Sequence, residues 1–235
     1  MSGAAGGANT ENKNTALESC SETLGTLSVF EDRTLPWWGH YYRRYPKLGS
    51  TLPVLRTMIQ QSNCFVVVER GKAFKAITKE RELMNSGETR AGSNFGKGQI
   101  VAADYTMSPS IQFSKKGTGG LGGLVGGVLG SVGAVVAGGL KSNEASTTLL
   151  LVDNRSGVQI SSAVGNAKNY DFRLFGGLFR RGVAGAGAYS NTPEGKIISA
   201  AFADSYNQMV KALKNYKAQE VKGGLGKGGS LGVGR

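Results

Sequence analysis

A chain of 235 residues with a formal net charge of +12 and 37 glycines is long enough for one domain of ordinary core size with flexible ends. One histidine and two cysteines cannot by themselves supply a four-ligand zinc site, and nothing in the sequence pairs His40 with a nucleophile or a carboxylate. The positive excess is scattered over Arg43 and Arg44, Lys115 and Lys116, Arg180 and Arg181 and the C-terminal lysines. Such a surface attracts nucleic acid, anionic lipid head groups or anionic cell-wall polymers.

The two ends, residues 1–19 and 218–235, are small, polar and glycine-rich. They hold too little apolar surface to offset the entropy of ordering them, so both are expected to be disordered around one domain spanning 20–217. The N-terminal stretch also lacks the apolar core of a signal peptide. Either the chain is a processed form or it works in the cytoplasm.

"LGTLSVFED", from Leu24 to Asp32, reads as a first strand. Thr34 to Ser50, "TLPWWGHYYRRYPKLGS", mixes prolines, glycines and large aromatics and reads as a loop, with His40 a solvated member of it. "PVLRTMIQQSN" suits a short helix with proline in its first turn, and "CFVVVERG" has the apolar β-branched character of a buried parallel strand. Lys72 to Ser86 repeats helix spacing at Phe74, Ile77 and Met84 and ends at Gly87.

From Tyr105 the period changes to two, through Met107, Pro109, Ile111 and Phe113, which predicts a strand with one wet face. "TTLLLVDNRSGVQISSAV" predicts a hairpin turning at Asp153 to Gly157. The last helix begins at Thr192 as N-cap, with Pro193 and Glu194 in its first turn, and ends among lysines 211, 214 and 217. Its apolar face runs through Ile198, Phe202, Tyr206, Met209, Leu213 and Tyr216. The sum is an α+β fold, a mixed sheet packed with helices in the order β-α-β-α-β-β-β-α.

Cys20 stands four residues before the first strand and Cys64 immediately before the second. If those strands are parallel neighbours, both thiols lie at one end of the sheet and a disulfide is reasonable; otherwise they are two buried, reduced cysteines. A bridge implies an oxidising compartment.

Residues 119–140, "GGLGGLVGGVLGSVGAVVAGGL", sit in a glycine-rich insertion over 117–140. Gly117, Gly119 and Gly122 match a dinucleotide-binding spacing, but so many glycines make chance matches expected and the preceding strand has a wet face, so no cofactor is assigned. Gly122, Gly126, Gly130, Ala134 and Gly138 recur every fourth position, which makes a flat helix face for close packing against another subunit or in a membrane. Each interior glycine costs such a helix about 0.5 to 1 kcal/mol, so the alternative is a mobile insertion.

In this order the pieces resemble the CsgG-like family, the curli production assembly/transport components of the bacterial outer membrane. "LGTLSVFED", "SNCFVVVERG" with "KERELMNSG", "AADYTMSPSI", and the hairpin leading to "YSNTPEGKIISAAFADSYNQMVKAL" carry the match. The resemblance implies a periplasmic or outer-membrane protein that assembles with copies of itself into rings and passes unfolded secreted subunits across the outer membrane. It places the channel or ligand loop at Thr34 to Ser50, with Trp37, Trp38, Tyr41, Tyr42, Arg43, Arg44 and Tyr45 as its candidate residues.

The family's first spanning hairpin would fall on the glycine-rich insertion, and its second on residues 171–189. Neither alternates as a pair of lipid-facing strands should. The expected function is therefore non-enzymatic assembly or export of surface material, with no catalytic, metal or cofactor residue. A pore-free periplasmic scaffold and a basic anion-binding module are the alternatives, and the spread of charge argues against nucleic acid.

Overall fold

The computed structural model describes residues 15–94, 96–112, 144–168, 189 and 191–216. The glycine-rich insertion with Gly122, Gly126, Gly130, Ala134 and Gly138, nearly all of 171–189, Lys217 and the expected disordered tail lie outside the described residues. Five strands form one mixed sheet: β1 (Thr26–Val29), β2 (Val66–Val67), β3 (Tyr105–Gln112), β4 (Glu144–Asp153) and β5 (Gln159–Lys168). Their order across the sheet is β2-β1-β3-β4-β5. β1 runs parallel to both β2 and β3, and β3, β4 and β5 form an antiparallel meander.

The helices are α1 (Pro36–Arg44), α2 (Leu52–Ser62), α3 (Lys72–Asn85) and α4 (Pro193–Lys214). This is the α+β mixed sheet expected, and among the described residues α1 is a helix that the sequence does not suggest. Alternation in β3 buries Met107, Pro109 and Ile111 and leaves Ser108 and Ser110 half-exposed, as a strand with one wet face requires. The wet face is tied by hydroxyls and amides: Ser28 to Thr106 at 2.9 Å, and Gln112 Nε2 donating to Thr148 Oγ1 at 2.7 Å.

The buried face packs on α4, whose N-cap Thr192 accepts a hydrogen bond from Gly195 N at 3.1 Å. Ile198, Phe202, Tyr206 and Met209 are fully buried, while Tyr216 lies just past the helix end and is exposed. Ala200, Ala201, Ala203 and Ser205 let the helix backbone come close to the sheet. At Gly165 of β5 that approach is extreme: an added Cβ would stand 2.2 Å from both Ala201 O and Ser205 N.

The Cys20–Cys64 disulfide is present, with Cα atoms 4.9 Å apart. It belongs to an N-terminal strap that crosses α4 and the end of α2. Asn207 Oδ1 accepts from Glu18 N at 2.7 Å, and Asn207 Nδ2 donates to Ala16 O at 2.8 Å. Cys20 N donates to Ser62 O and Leu24 N to Cys64 O. Glu18 pairs with Lys214 at 3.1 Å and with Lys211 at 3.5 Å, and the Lys214 hydrogen bond chiefly holds its carboxyl below the usual range. Leu17 is buried in the core, between Ala16 and Glu18, which are both bonded to Asn207, while Thr15 and Ser19 are exposed.

Two expectations change. "CFVVVERG" supplies only the two-residue β2, at the sheet's outer edge, and Val66 is 51% exposed rather than buried. An apolar β-branched run reads as a central strand, but β2 pairs on one side only, with β1. The aromatic stretch 34–50 is a helix rather than a loop over Pro36–Arg44. Pro36 occupies the first turn, where its missing N–H has no intrahelical partner to lose.

Candidate functional site

Beyond β1 the chain continues into Phe30, Glu31 and Asp32, and the buried carboxylate of Glu31 organises the segment after it. Its Oε1 accepts from Thr51 N and Thr51 Oγ1, both at 2.8 Å, and its Oε2 from Ser50 Oγ at 3.0 Å and Arg33 Nε at 3.2 Å. α2 carries no acid in its own first turn. Glu31 supplies the negative charge at that helix N-terminus from the end of a neighbouring strand. Asp32 turns outward and binds Thr34 through the hydroxyl at 2.6 Å and the N–H at 2.9 Å; those two bonds lower its carboxyl pKa.

With the chain so anchored, α1 is divided by its own period. Trp37 and Tyr41, four apart, are buried and belong to the core. Trp38 and Tyr45 are half-buried, Tyr42 is 54% exposed, and Arg43 and Arg44 are exposed. Trp38 stacks edge-on to Trp37 with centroids 5.4 Å apart, and the Arg33 guanidinium lies 4.9 Å above the Trp38 ring. His40 is a helix residue, not a loop one, with Nδ1 3.3 Å from Arg43 Nη2.

Of the seven aromatic and basic candidates in this stretch, Trp37 and Tyr41 are thus structural. Trp38, half-buried under Arg33, and the exposed Tyr42, Arg43 and Arg44 leave basic and aromatic side chains accessible on α1. Cations beside aromatic faces can hold an extended polypeptide through its carbonyls, carboxylates and rings without a deep pocket. Among the described residues no three His, Cys, Asp or Glu side chains stand close enough to hold a metal ion. No described helix is long and apolar enough to cross a membrane.

Behind this surface Tyr41 and Tyr189 meet hydroxyl to hydroxyl. The Tyr41 hydroxyl lies 3.0 Å and the Tyr189 hydroxyl 3.3 Å from Gly49 O, so one can donate to the carbonyl and the other to its neighbour. Burial pushes both phenols well above their ordinary range, and burial does the same to Tyr206, bonded to Ser62 Oγ at 2.6 Å. Glu31 and Tyr189 escape the sequence reading. Glu31 had one visible signal, an acid closing an apolar strand, whereas an isolated tyrosine before a helix has none.

The sign of the tyrosine effect is fixed. Below about pH 10 folded and unfolded chains both keep these three protons, and above it only the folded chain does. Stability therefore falls as pH rises past 10, by about 4 kcal/mol per pH unit for three such groups. Tyrosinate absorbance and far-UV circular dichroism followed together should show the last ionisations coinciding with unfolding. Complete ionisation with the fold intact would contradict the buried placement.

The described residues thus form an α+β domain that offers an exposed helix surface. The family model described as "Curli production assembly/transport component CsgG" matches residues 10–227, and the chain belongs to that family. No curated protein matches the chain significantly.

Proposed function

We propose that this chain is a non-enzymatic, ring-forming protein of the cell envelope, acting in the assembly or export of surface material across the outer membrane. The observation that carries the reading is the family match over 10–227, nearly the whole chain. The Cys20–Cys64 disulfide supports an oxidising compartment such as the periplasm. The exposed face of α1 supports a role in gripping a passing chain, since its charge is basic and its aromatic rings accept many sequences. A scaffold of the same fold without a pore is the second reading, favoured by the absence of barrel-like alternation in 119–140 and 171–189.

Extraction of the protein from outer-membrane fractions in detergent, with electron microscopy of the particles, should give closed rings. Single soluble copies in every detergent would sink the proposal. On the α1 face, Tyr42→Ala combined with Arg43→Ala should weaken binding of an unfolded acidic polypeptide about tenfold, with an unchanged melting temperature. Equal binding by the variant and the parent would remove α1 from the role.

A further inference from the structure

From Val66 to Thr106 no described residue is buried. The stretch includes α3, fourteen residues of helix without one buried side chain. Its apolar positions Ile77 and Leu83 face water, and so do Ile100 and Val101 beyond it. The stretch is held by its ends: Arg70 lies 5.2 Å over the Phe74 ring and donates to Val101 O at 2.5 Å, and Arg81 donates to Gly96 O at 3.4 Å. A helix of this length is marginal in water when no face is packed. Ordering so many residues without burial leaves their conformational entropy unopposed, so the surface calls for a cover.

At the opposite side of the sheet, β5 forms a second edge that no described strand covers. β5 is ten residues long and outermost, and Val164 is 44% exposed. Asn166 N points off the sheet and is met by Asp204 Oδ2 at 3.0 Å. The strand's alternation turns the main-chain groups of Ser162 and Val164 the same way. Among the described ion pairs Asp204 has no cation, whereas α3 exposes Lys72, Lys75 and Lys79. Long open edges invite pairing with another chain unless something covers them.

We infer that the β2–α3 side of one copy packs on the β5 edge of the next. The occupant is a second copy because the two surfaces are unlike, lie on opposite edges of one sheet, and bring lysines toward a carboxylate that lacks a cation. Contacts between unlike surfaces are head-to-tail, and head-to-tail contacts build rings when the rotation between copies closes and filaments when it does not. The inference rests on the ring reading and names the surfaces that would build it.

The test uses Ile77→Glu and Val164→Glu in the full chain, with circular dichroism to establish that each remains folded. Mass photometry or analytical ultracentrifugation should find the parent oligomeric and each variant monomeric. Mixed in equal amounts, the variants should stop at dimers, because the sound β2–α3 side of one still meets the sound β5 edge of the other. Oligomers of parental size from Val164→Glu alone, or no dimer from the mixture, would overturn the pairing while leaving ring formation standing. A parent that stays monomeric in detergent would instead overturn the ring reading, and this pairing with it. Lys75→Glu with Lys79→Glu gives an independent check, with oligomers expected to dissociate at lower salt than those of the parent.

Discussion

Replacing Gly165 with valine is expected to abolish the native fold, and replacing it with alanine to cost at least about 3 kcal/mol. Even the first added carbon would lie 2.2 Å from Ala201 O and Ser205 N and 2.8 Å from Ser205 Cα. Those are helix backbone atoms, not the ends of side chains that could swing aside. Relief requires moving α4 off the sheet, and α4 carries Phe202, Tyr206 and Met209 into the core. The Thr147 Oγ1 to Ser205 Oγ hydrogen bond at 3.1 Å would be pulled apart with it. Urea denaturation monitored by circular dichroism should show the loss, with Ser162→Ala on the exposed side of the same strand as a near-neutral control. A Gly165→Val protein with the parent's midpoint would mean that β5 and α4 do not meet as described.

The second large effect concerns the strap. Cys20→Ser with Cys64→Ser opens a loop with a sequence separation of 44, and on the chain-entropy account its closure stabilises the fold by about 4 kcal/mol. The backbone bonds from Cys20 N to Ser62 O and from Leu24 N to Cys64 O then have to hold the strap without a covalent tie. The variant should unfold at markedly lower urea, and reductant should bring the parent to the same midpoint. Two titratable thiols in the denatured, unreduced parent would contradict the bridge. So would a parent indifferent to reductant.

Elements whose residues alternate or repeat cleanly were legible. β3, the β4–β5 hairpin and α4 each declare a period and an end, including the Thr192 cap, and the structure agrees with them. α1 was not legible because its tryptophans, tyrosines and Gly39 are weak helix formers, and two flanking prolines look like loop punctuation. Its helical signal was the four-residue spacing of Trp37, Tyr41 and Tyr45 behind Pro36. β2 misled for another reason. Which strand ends a sheet depends on its neighbours, and a run of valines carries no mark of how many it has.

The same limit applies to the site. The sequence marks 34–50 as unusual by its concentration of aromatics and cations, and the accessible Tyr42, Arg43 and Arg44 lie within it. It does not say that Trp37 and Tyr41 face the core; for Tyr41 that depends on Tyr189 arriving from a position 148 residues away. The exposed α3 was equally hidden. Phe74, Ile77 and Met84 have the spacing of a core-facing stripe, and only the fold reveals that none of them is buried.

The central claim is that copies of this chain form a ring through which material crosses the outer membrane, with the exposed face of α1 at the passage. Single-channel recording in voltage-clamped planar bilayers tests it most directly. The account predicts discrete conductance steps from the purified protein, with a larger unit step for Trp38→Ala combined with Tyr42→Ala, which removes bulk from the passage. Bilayers that stay silent, exposed to a protein shown to be assembled and folded, would contradict the channel and leave the scaffold.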